Sequence, residues 1–249
     1  MNEPDVVFLI HEDSSTFNPS IEDMVKFHAP IIYGFRKSVY ARFEKLWVTF
    51  GRWRYIMYAM SAQTPLNTAN FAHPRRNVAA LGIEPGMSVA DLGSGSGIYV
   101  LHIAEALENS GHVYAIDVQR DLLRRVKNEA HRRGFKNVDV IWTDLERADA
   151  SKLADKTLDL VLVSNLLFQV ENKSAVLTEA WRILKPTGRF AIIDWAESFG
   201  GLGPVKGDVV SKAKALELAR ESGFELQREF AAGAHHYGLI FKLTPQTKL

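Results

Sequence analysis

Asp91, Asp117 and Asp144 are the residues from which a chemical reading can start. Asp91 opens the stretch "DLGSGSGIY" (91–99), in which Gly93, Gly95 and Gly97 occupy alternate positions. Three glycines in so short a segment imply backbone conformations or close approaches that a Cβ would forbid. The loop follows an apolar run and precedes a helical pattern, the place where doubly wound sheets bind nucleotides. A Walker loop would end in Gly-Lys-Ser/Thr, whereas Gly97 is followed by Ile98 and Tyr99. A dinucleotide fingerprint would need a glycine at position 98. A carboxylate at the mouth of the loop repels a pyrophosphate and suits a ligand carrying an ammonium or sulfonium group. Asp117 comes 20 residues after Gly97, where a strand-terminal carboxylate can accept both hydroxyls of a ribose. Asp144 is placed to accept from an exocyclic amine such as that of adenine. Alone, Asp117 or Asp144 is more often a strand-terminal turn residue than a ligand, but three acids at the ends of three successive strands point to a shared ligand. A glycine turn that only packs helix on strand is the alternative reading of the loop.

These residues need a scaffold, and the pattern supplies one from about residue 74. The runs 88–92, 112–117, 138–144, 158–165 and 189–195 read as strands. The segments 99–107, 119–134, 174–186 and 211–223 have helical spacing, the third stopping at Pro186 and two ending at glycines. The fourth strand, "LDLVLVSN", is apolar enough to be buried on both faces. Strands alternating with helices indicate βαβ units and a parallel sheet. The last two strands, "FELQREF" (224–230) and "HHYGLIFKL" (235–243), have no helix between them and must form an antiparallel hairpin at one edge. The fold class is α/β, a Rossmann-like doubly wound sheet spanning residues 71–249.

Residues 1–70 differ and read as a mainly helical extension. Val39, Phe43, Leu46, Trp47, Phe50, Trp53 and Met57 fall on one helical face, with Lys37, Glu44, Lys45 and Arg52 opposite. That pattern suits a helix packed on the main domain, a lid over a substrate, or a basic surface for RNA or for peripheral membrane contact.

The combined motifs resemble the class I S-adenosylmethionine-dependent methyltransferases over roughly residues 73–243, on the small-molecule branch that includes the ubiquinone/menaquinone C-methyltransferases. "VADLGSGSG" is similar to the family's first motif, "VYAIDV" to its ribose-binding one and "TDLE" to the segment beside adenine. "LDLVLVSNLLFQVEN" is similar to the fourth-strand motif, and "EAWRILKPTGRFAIIDW" to the helix, turn and strand after it, with Thr187 where a second glycine is common. The resemblance implies S-adenosyl-L-methionine as cofactor. It implies that Asp91, Gly93, Ser94, Gly95 and Gly97 wrap the methionine part, that Asp117 and Val118 flank the ribose, and that Asp144 and Leu145 flank the adenine. Ser164 and Asn165 would end the fourth strand beneath the sulfonium. It also implies a seven-stranded sheet with its last strand antiparallel beside the fifth.

Methyl transfer asks mainly for alignment and exclusion of water, and for a base only when the acceptor arrives protonated. Ligands bind beyond the carboxyl ends of parallel strands, and the final strand begins at that crevice. This nominates His235, His236, Tyr237 and Asp194 as catalytic candidates, though His235 and His236 point to opposite faces. His73, beside Pro74, is read either as a helix start or, with Phe71, as a border of the cofactor site.

Composition narrows the classes. The 249 residues carry a net charge of +1 and 47% apolar residues, an ordinary globular balance. With no cysteine, disulfides, thiolate metal sites, covalent cytosine methylation and thiolate capture of arsenite are excluded. No metal site is expected. No apolar run long enough for a membrane span and no secretory pattern are found, so the cytoplasm is the default. "SNLLF" stands where amine-methylating nucleic-acid enzymes carry Asn-Pro-Pro-aromatic. The expected acceptor is a small, aromatic or lipid-like molecule. The rivals are an RNA or protein methyltransferase docking through the basic N-terminal segment, and a cofactor-binding subunit without catalysis. A nicotinamide oxidoreductase is more distant.

Overall fold

The computed structural model describes residues 8–11, 44–50, 53–59, 72–199 and 203–244. The chain divides into two compact units, residues 1–68 with 200–202 and residues 69–199 with 203–249.

In the first unit β1 (Phe8–His11), β2 (Glu44–Phe50) and β3 (Trp53–Ala59) form an antiparallel sheet in the order β1-β3-β2. This corrects the helical expectation for the extension wherever it is described; Val39 and Phe43 lie outside the described residues. The two runs "EKLWVTF" and "WRYIMYA" are rich in aromatic and β-branched residues, which favour a pleated strand. Only Gly51 and Arg52 separate them, and Phe50 pairs with Trp53, the spacing of a two-residue hairpin with glycine first. Over so short an apolar window the 3.6 period matched by accident.

The second unit begins with α1 (Pro74–Leu81), β4 (Ser88–Leu92), α2 (Ile98–Ala106), β5 (His112–Asp117), α3 (Arg120–Arg132) and β6 (Val138–Trp142). It continues through β7 (Leu158–Ser164), α4 (Lys173–Ile183), β8 (Leu184–Trp195), α5 (Lys212–Glu221), β9 (Phe224–Gly233) and β10 (His236–Leu243). The seven strands run in the order β6-β5-β4-β7-β8-β10-β9. β6, β5, β4, β7 and β8 are parallel, and β10 lies antiparallel between β8 and β9. The strand order reverses between β5-β4 and β7, so the carboxyl ends of β4, β5 and β7 open the crevice that such sheets use for ligands.

Local chemistry sets the helix boundaries. Pro74 stands at the first turn of α1, and Gly82 closes it with φ 63°. Asn172 caps α4 by accepting from the Ala175 N–H at 3.1 Å, and Ser211 caps α5 by accepting from Lys214. α4 stops at Ile183, before the expected Pro186, because β8 starts at Leu184. Pro186 falls between the paired positions Leu184 and Arg189, where its missing N–H removes no ladder bond. Both faces of the sheet are covered, as the apolar β7 requires. Val78, Ile103 and Val126 from α1, α2 and α3 pack on one face. Leu177, Ile183 and Leu218 from α4 and α5 pack on the other, where Phe190 stacks on Phe224 at 4.5 Å. Each fully buried side chain of this size contributes about 1.5–3 kcal/mol, which holds the carboxyl ends of the strands in fixed register. Among the described residues no helix is long and apolar enough to cross a membrane.

Candidate functional site at the carboxyl ends of the strands

Gly93, Gly95 and Gly97 all adopt the left-handed region, with φ of 75°, 52° and 77°. Their surroundings separate their roles. A Cβ on Gly93 would lie 2.7 Å from Leu166 Cδ1, and one on Gly97 2.5 Å from Val126 Cγ2, so both serve close packing of the loop. A Cβ on Gly95 would meet nothing within 4 Å; its face is open.

The N–H groups of this loop turn inward. Gly93 and Ser94 donate to the Ile116 carbonyl at 2.8 and 3.0 Å, and Gly97 donates to the Ser94 carbonyl at 2.8 Å. Gly95 donates to Asp117 Oδ2 at 2.8 Å, while Asp117 Oδ1 accepts the Gln119 N–H at 2.8 Å. A loop that cradles phosphate presents such N–H groups outward. Here those of Gly93, Ser94, Gly95 and Gly97 are engaged. Each Asp117 oxygen holds one backbone N–H and keeps further lone-pair capacity.

Beneath the loop, Asp91 is 1% exposed. Its Oδ1 has no hydrogen-bond partner among the described residues, and neither do Ser94 Oγ and Asn165 Oδ1. Burial, with the charge of Asp117 adding to it, pushes the Asp91 carboxyl up to about 7. Asn165 directly follows β7 with φ 50°, a conformation that asparagine tolerates better than most residues. A carboxylate left unpaired in this way is costly to the fold, and a ligand bearing a positive charge would offset that cost.

The structure brings Asp91, Gly93, Ser94, Gly95, Gly97, Asp117, Ser164 and Asn165 to the ends of three neighbouring strands. It treats the others differently. Val118 is 59% exposed and free to contact a flat ligand. Leu145 is buried and packs in the core. Asp144 accepts the Glu146 N–H at 3.0 Å and lies 3.5 Å from Arg147, holding its own turn.

The rim candidates split by face. Tyr237 pairs with Asp194, and His236 with Trp195; opposite residues share a face and neighbours alternate. Asp194 accepts the Leu167 and Trp195 N–H groups at 3.1 and 2.8 Å, and the Tyr237 hydroxyl donates to the Val210 carbonyl at 3.0 Å. Both are committed to holding loops. His236 is buried against Trp195, with ring centroids 4.3 Å apart and both ring nitrogens unpartnered among the described residues. Burial, aided by His235, lowers its pKa to about 4. His235 Nδ1 lies 2.8 Å from Glu197 Oε1, and its ring stacks on Phe199.

Two polar residues escaped the sequence reading. The Asn77 amide donates to the Tyr99 hydroxyl and to the Ala232 carbonyl, both at 3.0 Å. Tyr99 also hydrogen-bonds Ser164, and burial pushes its pKa up. The available signal was Asn77 itself, a polar residue beside Val78 and Leu81 on the buried side of α1. Among the described residues no group of three or more histidines and carboxylates could hold a metal ion.

Comparison with known proteins follows the same lines. The profile of the methyltransferase domain family matches residues 83–238. The chain is 32% identical over 124 residues to a ubiquinone/menaquinone biosynthesis C-methyltransferase from Hydrogenovibrio crunogenus, covering 49% of this chain and 48% of the relative. It is 36% identical over 114 residues to an arsenite methyltransferase from Aquipseudomonas alcaligenes, covering 44% and 33%. The chain thus spans about half the length, or less, of these curated relatives. Among solved structures, a SAM dependent methyltransferase from Aquifex aeolicus superimposes with a TM-score of 0.64 at 25% identity, covering 71% of this chain and 93% of that one. With the profile covering well over half of it, the chain belongs to the class I S-adenosylmethionine-dependent methyltransferases.

Proposed function

We propose that this chain transfers the methyl group of S-adenosylmethionine to a small acceptor with an aromatic or lipid-like body. The observation that carries the reading is the inward turn of the glycine-loop N–H groups, one of them onto Asp117. It commits four donors and leaves the carboxylates of Asp91 and Asp117 around the loop, which attract an ammonium and a sulfonium and repel a polyphosphate. Asp91, Ser94 and Asn165 would hold the methionine part through their unpartnered oxygens, with Gly95 leaving room for it. Asp117 would hold the ribose hydroxyls with Val118 beside them, and Asp144 would accept from the adenine amine.

When bound, the cofactor supplies a methyl carbon activated by positive sulfur. The protein's own work is alignment and exclusion of water. Of the rim residues, the His235–Glu197 pair best supports a base for a protonated acceptor, because a carboxylate at Nδ1 orients the ring. Asp194 and Tyr237 act by holding the loops that carry Leu167 and Val210. The relatives' names divide between quinone carbon and arsenite. Arsenic(III) is thiophilic and this chain has no cysteine, which favours the quinone-like class.

The test incubates purified protein and methyl-labelled cofactor with fractionated cell extract. Label entering the lipid or small-molecule fraction is expected. Label in RNA or protein would overturn the acceptor class, and bound cofactor without transfer to any fraction would overturn the activity.

A further inference from the structure

Outside the glycine loop, a cavity of about 360 Å³ is lined by His73, Arg76, Asn77, Ala231, Gly233 and Ala234. Its lining joins the start of α1 to the end of β9 on the carboxyl side of the sheet. No acidic residue lines it. Arg75 points away and pairs with Glu105 on α2 at 3.6 Å. Arg76 has no ion pair or hydrogen bond among the described residues, and the His73 side chain makes no capping bond. Arg76, exposed and unpaired among the described residues, and His73 thus share the lining with alanine and glycine. The cavity is tied to the candidate site by one chain of contacts, since Asn77 bonds Tyr99 and Tyr99 bonds Ser164 at the end of β7.

We propose that this cavity is a carboxylate-binding subsite, with Arg76 as its principal contact and His73 beside it. A guanidinium recognises a carboxylate through paired N–H donors, and the start of α1 carries the same sign. The floor admits a flat or short apolar body behind the carboxylate. Two molecules could bring that group: the methyl acceptor, or the amino-acid end of the cofactor. Both sources rest on the function proposed above; the binding of a carboxylate at Arg76 does not.

The experiment follows the Arg76 Nε–H signal of isotopically labelled protein, assigned by its loss in Arg76→Gln, and measures Kd by calorimetry. The probes are S-adenosylhomocysteine, 5′-methylthioadenosine, which lacks the amino-acid end, and sodium benzoate, the last with and without S-adenosylhomocysteine. If the acceptor supplies the carboxylate, benzoate shifts the signal and Arg76→Gln weakens it about tenfold or more, leaving both nucleosides unaffected. If the cofactor supplies it, Arg76→Gln weakens S-adenosylhomocysteine about tenfold or more and leaves methylthioadenosine unchanged. Arg76→Lys should restore part of either loss. A signal that no probe moves, with equal affinities in both proteins, overturns the subsite. Wild-type protein that takes benzoate at Arg76 but neither nucleoside sinks the methyltransferase reading and leaves the subsite standing.

Discussion

Replacing Asp91 with asparagine separates what the carboxylate does to the fold from what it does for a ligand. Burial moves its pKa from 3.8 to about 7, so at 1.36 kcal/mol per unit the ionised form is disfavoured by about 4 kcal/mol. Between roughly pH 4 and 7 the unfolded carboxylate is ionised while the folded one is protonated. The folded state therefore binds more protons, and stability falls as pH rises. The Asp91 contribution is full below about pH 4 and lost above about pH 7. Asparagine keeps the shape without the titration, and Asp194, also raised to about 7, is common to both proteins and cancels in the difference. Urea denaturation at pH 4, 5, 6, 7 and 8 should show equal stabilities at pH 4. By pH 8 the variant should lead by at most about 4 kcal/mol. At pH 8 the order should invert for ligand, with wild type binding S-adenosylmethionine more tightly. Stability curves that stay parallel from pH 4 to 8 would refute the reasoning.

Other substitutions probe the remaining parts. Gly97→Ala should lower stability by about 1–3 kcal/mol in denaturant, because it strains φ and drives a Cβ into Val126. Gly95→Ala meets no atom and should cost about 1 kcal/mol in strain while weakening cofactor binding by calorimetry. Glu179→Ala removes the carboxylate that accepts the Ser151 N–H at 2.9 Å and the Arg182 Nη2 at 2.8 Å. Arg182 keeps Asp149 and Asp155 as partners, so the loss should cost about 1–3 kcal/mol in denaturant, mainly from the unsatisfied Ser151 groups. The His236 imidazole should titrate near 4 by NMR, assigned with His236→Phe. Its stabilising contribution is full above about pH 6.5 and lost as pH falls toward 4; titration near 6.5 would contradict its burial.

The seven-stranded unit was legible because its strands are short apolar runs punctuated by glycine and proline, and Ser88–Leu92 and His112–Asp117 have both bounds as read. Pro186 misled because a proline can open a strand where the ladder skips it. Residues 44–59 misled because the apolar residues Leu46, Trp47, Phe50 and Trp53 satisfy the helical period as well as two paired strands. At the site, the spacing of Asp91, the glycines and Asp117 was readable. The inward turn of the N–H groups was not, since it depends on Ile116 and Asp117 arriving from a neighbouring strand. The same holds for the rim: sequence placed His236 and Tyr237 there, but only register shows which face each takes.

The most direct test of the glycine-loop account is calorimetry of S-adenosylmethionine, ATP and NAD against wild type and Asp117→Ala. The account predicts that wild type binds S-adenosylmethionine, that the variant binds it about 1–3 kcal/mol more weakly, and that neither protein takes up ATP or NAD. Folded wild type that ignores S-adenosylmethionine while binding either polyphosphate nucleotide would contradict it.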